Sequence, residues 1–295
     1  MRVLQIKPDK VIDTADHVGE TPIWSAERGG LFWANCEDPP RLQFWSAASG
    51  KVETWPFKQR FGGFVIAGTD HVVVALADGL YDLTLSSGVL TKRVANPLEH
   101  ASLHECRCDR QGRLWVGSID RRVGPGNLLP SGGSLFAVRA NALRSVLDGV
   151  SCSNGLAFSP TGDRLYHTDA PTRTIMVWDL DATTGEIANQ RVFARLGPED
   201  GFCDGATVDS EGGYWASLVF AGKLRRYHGD GSPDLDIKLP FSNPTNVAFG
   251  GSGLSTMFVT TTQMSIGTPL AGESMHGALY SFQSEFRGVA EPLLR

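Results

Sequence analysis

The chain has 295 residues, a formal net charge of −5, 41% hydrophobic and 9% aromatic residues and 34 glycines. This is the composition of a packed, turn-rich globular protein and excludes a disordered one. No Lys/Arg cluster interrupts the mixture of charges, which excludes a nucleic-acid footprint and an attraction to anionic membrane surfaces and leaves a small molecule as the expected partner.

The N-terminal stretch MRVLQIKPDKVIDTADHVGE carries a charge every few residues and has no apolar segment of the signal-peptide kind, and no window of the chain is long and apolar enough for a membrane span. A cytoplasmic protein is expected. The five cysteines (Cys36, Cys106, Cys108, Cys152, Cys203) are odd in number and never spaced CxxC. They read as small buried hydrophobes, not as disulfides or zinc ligands.

From residue 20 onward one pattern recurs: a polar residue, a short apolar run, a Gly-containing turn and a second apolar run. It opens ETPIWSAERGGLFWANC at 20, GGFVIAGTDHVVVAL at 62, HECRCDRQGRLWVGSI at 104, NGLAFSPTGDRLYHTDA at 154, DGATVDSEGGYWASLV at 204 and TNVAFGGSGLSTMFVTT at 245. Each unit continues into two more β-like runs around a polar turn, for example RLQFWSAASGKVETWPF in the first and ALYSFQSEFRGVAEPLL in the last. Units of four strands repeating every ~40–50 residues, with almost no helical periodicity, predict an all-β six-bladed β-propeller with four antiparallel strands per blade. One domain over residues 1–295 is expected, with the N-terminal run VLQIKPDKVI supplying the outer strand of the last blade and closing the ring.

Superposing the six inner strands on Trp24, Asp109, Phe158, Val208 and Phe249 places Glu20, His104, Asn154, Asp204 and Thr245 at the first position, with Gly62–Gly63 in the second blade. Polar residues at a wet channel mouth need no special task, and Asn-Gly and Asp-Gly are ordinary turn pairs. Two carboxylates, an amide and an imidazole converging on one axis are a different matter. They form a donor set for one divalent cation: Ca²⁺, Mg²⁺ or Mn²⁺ from the oxygens, with Mn²⁺, Fe²⁺ or Zn²⁺ favoured if the imidazole joins. Three protein ligands leave positions open for water and substrate.

The segments GETPIW, SNGLAFSPTGDRLYHTD, DGATVDSEGGYWAS and NPTNVAFGG resemble, in order and spacing, the blade motifs of the SMP-30/gluconolactonase/luciferin-regenerating family over nearly the whole chain. The resemblance implies a six-bladed propeller with one divalent metal in its channel, hydrolysing sugar lactones to aldonic acids. It places the metal ligands on Glu20, Asn154 and Asp204 and makes Asp204 the catalytic base. Asp169 matches a Thr-Asp that the family carries after its Asn strand and is expected either to support the site or to cap a turn.

The third blade departs from the family pattern. Where the family has an Arg-x-Asn-Asp segment that contacts substrate hydroxyls, this chain has Ser102, Leu103, His104 and Glu105. His104 and Glu105 therefore become substrate-binding candidates, with a metal-ligand or general-acid role left open for His104. The other histidines (His17, His71, His100, His167, His228, His276) read as structural. Downstream, IDRRVGPG puts Arg121 and Arg122 on a loop near the channel, where two arginines are either a solvated turn or a device for an anionic substituent such as a carboxylate, phosphate or sulfonate. The Gly/Pro-rich stretches 120–133 and 267–277 are expected to line the mouth. A metal-dependent lactonase is the expected function. The alternatives are hydrolysis of a non-sugar lactone, ester or organophosphate on the same metal site, and a non-enzymatic binding propeller.

Overall fold

Short apolar runs separated by glycine turns cannot bury both faces alone, so each unit folds into an antiparallel meander that packs against the next. In the computed structural model, which describes residues 1–122, 131–140, 142–265 and 275–295, six sheets form. The first blade is β3 (Gly19–Ser25), β4 (Gly30–Asn35), β5 (Arg41–Ser46) and β6 (Val52–Pro56), and the second β7 (Phe61–Ile66), β8 (His71–Leu76), β9 (Gly79–Thr84) and β10 (Val89–Ala95). The third is β11 (Ala101–Cys108), β12 (Leu114–Asp120), β13 (Gly133–Arg139) and β14 (Ala142–Val150), and the fourth β15 (Ser153–Phe158), β16 (Arg164–Asp169), β17 (Thr174–Leu180) and β18 (Ile187–Arg195). The fifth is built from β19 (Phe202–Val208), β20 (Tyr214–Val219), β21 (Lys223–Tyr227) and β22 (Pro233–Lys238), and the sixth from β23 (Pro244–Gly250), β24 (Thr256–Thr261) and β25 (Ala278–Gln283). The inner strands β3, β7, β11, β15, β19 and β23 pack side by side into a closed ring. This is a six-bladed β-propeller. No helix among the described residues is long and apolar enough to cross a membrane.

The chain ends depart from the simple repeat. The expected second run of the last unit, after SFQSEF, forms no strand, and the place is taken by β2 (Asp9–Asp13), antiparallel to β25. The residues just before it form β1 (Arg2–Gln5), which instead lies parallel to β22 as a fifth strand on blade five. The freed C-terminal segment crosses the face opposite the strand starts. Gly288 bridges Asp209, Glu291 pairs with Arg107 at 2.6 Å, and the amides of Leu294 and Arg295 donate to Ile66 and Gly112.

The core lies between blades. Trp33, Trp115 and Trp215 are wholly buried, and each indole N–H finds a carboxylate: Asp16 at 2.8 Å, Asp109 at 3.1 Å and Asp209 at 2.8 Å. A buried indole gains apolar contact only if its one donor is satisfied. The repeated pair also corrects the superposition made from sequence. Asp109 is the counterpart of Asp209 in the turn after the inner strand, and Cys108 is the counterpart of Val208, facing Leu114 as Val208 faces Tyr214.

Candidate functional site at the channel mouth

At the mouth-proximal start of the inner strands a β-bulge interrupts the ladder. Pairing skips from Glu20 to Ile23 in β3, from Leu103 to Cys106 in β11, from Asn154 to Ala157 in β15 and from Cys203 to Ala206 in β19. A bulge bends the strand and re-aims side chains out of the regular alternation. The residue after Glu20 and after Asn154 is left-handed, with φ 49° at Thr21 and 63° at Gly155. A Cβ on Gly155 would also stand 2.6 Å from the Tyr214 hydroxyl, which donates to the Gly155 carbonyl. The Asn-Gly pair is thus part of a bulge and not a hairpin turn.

The bulges bring the candidates together in two pairs. On one side, the carboxyls of Glu20 and Asp204 hydrogen-bond each other. Glu20 Oε2 also accepts from the Thr21 amide at 2.9 Å and from Asn246 Nδ2 at 2.9 Å. Burial pushes both carboxyls above the ordinary range. For Glu20 the bonds from Asn246 and Thr21 offset part of the rise, whereas the Glu20 charge, the shared hydrogen bond and the Glu105 charge lift Asp204 well above it. Asp204 is half-buried, whereas Glu20 is buried. Two desolvated carboxyls in contact cannot both ionise without a cation between them.

On the other side, His104 hydrogen-bonds the Asn154 side chain, and Asn154 Nδ2 lies 3.7 Å from Cys152 Sγ as donor. Burial, and after it the nearby Arg60 guanidinium, holds the His104 pKa well below its ordinary value. Two mutually repelling carboxyls fit a divalent cation in their chemistry, and Glu20, Asp204 and Asn154, near the starts of three inner strands, could hold one.

Other expectations resolve differently. Glu105 turns away from the mouth: its Oε2 accepts from the Leu156 amide at 3.0 Å, its Oε1 is buried without a hydrogen bond among the described residues, and burial pushes its pKa up to about 8. Thr245 does not point at Glu20; its hydroxyl bonds the Gly19 carbonyl, and Asn246 is the residue that reaches the site. Asp169 accepts from the amides of Ser151 and Cys152 at 3.0 and 2.8 Å, a cap that fixes the turn leading to Asn154. Arg122 grips Asp120 through two hydrogen bonds of 2.9 and 2.6 Å, while Arg121 Nη1 stands 3.6 Å from Glu37 and its side chain is 60% exposed. Residues 123–130 and 267–274 of the expected mouth loops lie outside the described residues.

Two participants were missed in the sequence. Asn246 is hidden by a shorter bulge, since β23 skips only from Pro244 to Asn246. Arg60, just ahead of β7, reaches Glu37 Oε1 at 2.9 Å and His104 Nδ1 at 3.2 Å. The glycines of blade two give it room: a Cβ on Gly62 would stand 2.4 Å from the Leu103 carbonyl. A further group, His17, Glu37 and Asp38, brings possible ligand atoms within 4.8 Å of one another, but Glu37 is already bound to Arg60 and Asp38 is exposed.

A propeller ring with paired carboxyls, an amide and an imidazole at the strand starts has the layout of a hydrolytic channel site. The chain belongs to the SMP-30/gluconolactonase/LRE-like family, whose sequence model matches residues 18–263. It is similar to 6-deoxy-6-sulfogluconolactonase of Pseudomonas putida, 34% identical and covering 94% of each chain, and to L-arabinolactonase of Azospirillum brasilense, 29% identical over 94% of this chain and 92% of that one. Among solved structures it resembles a calcium-binding protein, regucalcin, of Agrobacterium tumefaciens, with a TM-score of 0.91 at 24% identity over 100% and 99% of the two chains, a likeness of fold.

Proposed function

We propose that the protein opens a sugar-derived lactone to its aldonic acid at the channel mouth, with one divalent cation held by Glu20, Asn154 and Asp204. The observation that carries this is the contact of two carboxyls, buried Glu20 and half-buried Asp204, together with the His104–Asn154 pair. The family and its lactonase relatives support the reaction class. When bound, the cation supplies Lewis-acid polarisation of the lactone carbonyl.

The chain's own residues account for the rest. Asp204, half-buried, accepts a proton from the water that attacks the carbonyl carbon. The ring C–O bond then breaks and the ring oxygen leaves as a hydroxyl, with that proton returned to it. His104, whose ring nitrogens are engaged by Arg60 and Asn154, meets the sugar by van der Waals contact. The oxygen-rich donor set favours Ca²⁺, Mg²⁺ or Mn²⁺.

An acidic substituent on the sugar would meet Arg121, whose side chain is 60% exposed at 3.6 Å from Glu37. The similarity to a protein whose name denotes a sulfonate-bearing lactone supports the same substrate class. A panel of neutral and 6-anionic lactones, followed by proton release, tests both parts. Turnover abolished by EDTA and restored by Mn²⁺ or Ca²⁺ is expected, with higher kcat/KM on the anionic lactones and a selective loss of that preference in Arg121→Ala. Absence of turnover on any lactone overturns the reaction class, and turnover indifferent to EDTA overturns the metal.

A further inference from the structure

The imidazole of His104 is held from both sides, and the chemistry of its neighbours decides which nitrogen carries the proton. Arg60 Nη2 lies 3.2 Å from His104 Nδ1. A guanidinium has five N–H donors and no lone pair to offer, so Nδ1 at this distance must be the bare, accepting nitrogen. The ring proton is then on Nε2, the nitrogen left for the hydrogen bond with Asn154. A donor from His104 requires the Asn154 amide to answer with its oxygen, which agrees with Nδ2 of the same amide pointing to Cys152 Sγ.

Arg60 is itself fixed. Its Nε donates to Glu37 at 2.9 Å, its side chain is only 10% exposed, its carbonyl accepts from the Ala77 amide, and the next residue, Phe61, donates to the Cys36 carbonyl. His104 is 7% exposed, so water does not compete freely for the ring.

We infer that Arg60 is a positioning residue: it fixes His104 as the neutral tautomer with the proton on Nε2, and through that N–H turns the Asn154 amide so that its oxygen faces the proposed cation. Orientation of a ligand through the hydrogen bond behind it is a common requirement of metal sites. The tautomer also settles what His104 can do. With Nδ1 occupied by Arg60 and Nε2 protonated, it is a hydrogen-bond donor and not a metal ligand. The orienting role rests on Asn154 being a ligand, whereas the tautomer does not depend on that reading.

The test uses the full-length, metal-free protein with ¹⁵N-labelled histidine, observed by long-range ¹H–¹⁵N correlation at pH 7.5, with His104 assigned by its loss in His104→Gln. Wild type and Arg60→Lys should show a protonated Nε2 and a bare Nδ1, and Arg60→Met should show the Nδ1–H form or an exchange average. A protonated Nδ1 in wild type, or an unchanged pattern in Arg60→Met, overturns the lock. Mn²⁺ titration by water-proton relaxation then reads the consequence: about 10–100-fold weaker binding in Arg60→Met, with recovery in Arg60→Lys. Wild-type affinity in Arg60→Met, with a melting temperature showing it folded, overturns the orienting role while leaving the tautomer result to stand by itself. Neither readout requires turnover, so failure of the lactonase reading is separately visible.

Discussion

Asn246 Nδ2 donates to Glu20 Oε2 at 2.9 Å, joining the last blade to the first across the seam of the ring. The same amide accepts from the Val247 N–H through Oδ1 at 2.8 Å, so its orientation is fixed from both ends. Asn246→Leu removes the support behind Glu20 at nearly constant volume. Mn²⁺ affinity should fall about 10–100-fold, with a further stability cost of ~1–3 kcal/mol for the unpaired amide. Binding titration and chemical denaturation check the two effects, and unchanged affinity would mean that Glu20 orients without help.

Asp204→Asn separates two roles of one carboxyl. Loss of the proton acceptor should lower kcat by about 10²–10⁴-fold. The same change removes one of two mutually repelling carboxyls, so the metal-free variant should melt higher than metal-free wild type at pH 8. Activity and thermal melts in EDTA read these opposite signs. A variant equally active, or less stable without metal, contradicts the assignment.

Glu105 gives a pH dependence of definite sign. Its carboxyl is protonated in the folded protein up to about pH 8, against an ordinary value of 4.5. The folded state therefore binds the extra proton, and stability from this group is complete below pH 4.5 and declines as pH rises towards 8. The slope is about 1.4 kcal/mol per pH unit within that window. Glu105→Gln should flatten it. Urea melts of metal-free protein at pH 5, 6.5 and 8 provide the measurement, and equal slopes in both proteins would refute it.

Gly155→Ala imposes a Cβ on a left-handed residue (φ 63°) with the Tyr214 hydroxyl 2.6 Å away. A loss of ~2–4 kcal/mol is expected, the strain of the backbone adding to displacement of a packed ring. Gly149, at φ 75° with nothing within 4 Å of a Cβ, provides the comparison. Gly149→Ala should lose only ~1 kcal/mol. Denaturant midpoints of the pair show whether contact or backbone angle dominates.

Chelation should lower the melting temperature at pH 8, because a ligand that binds only the folded state stabilises it by ~2.7 kcal/mol at a hundred times its Kd. Ca²⁺, Mg²⁺, Mn²⁺ and Zn²⁺ added singly to stripped protein rank the candidates. No shift with any of them would remove the cation from the proposal.

The six blades were legible because the repeat is local: each unit states its own turns and apolar runs. Glu20, Asn154 and Asp204 were legible because each stands four residues ahead of the strand position used to align the repeats, Trp24, Phe158 and Val208. What escaped lies in the third dimension. Asn246 looked like a strand residue until the shorter bulge in β23 shifted it by one. Arg60 belongs to a turn with no motif, and only the absence of side chains at Gly62 and Gly63 lets β11 approach and bring His104 under its guanidinium. The mistaken match of Asp109 with Val208 has the same origin, since the turn following a bulged strand looks like one more strand residue in the sequence.

The division of the first thirteen residues between two blades has a consequence in time. Residues 2–5 and 9–13 are synthesised long before their partner strands, 233–238 and 278–283. Blades one to four can form from neighbours in the chain as synthesis proceeds, but blade six lacks its outer strand until β25 meets β2. Contacts of such sequence separation form slowly. Ring closure is therefore the late step, and until it occurs the edge of β25 and the two waiting N-terminal strands are the parts of the nascent protein most open to pairing with another chain.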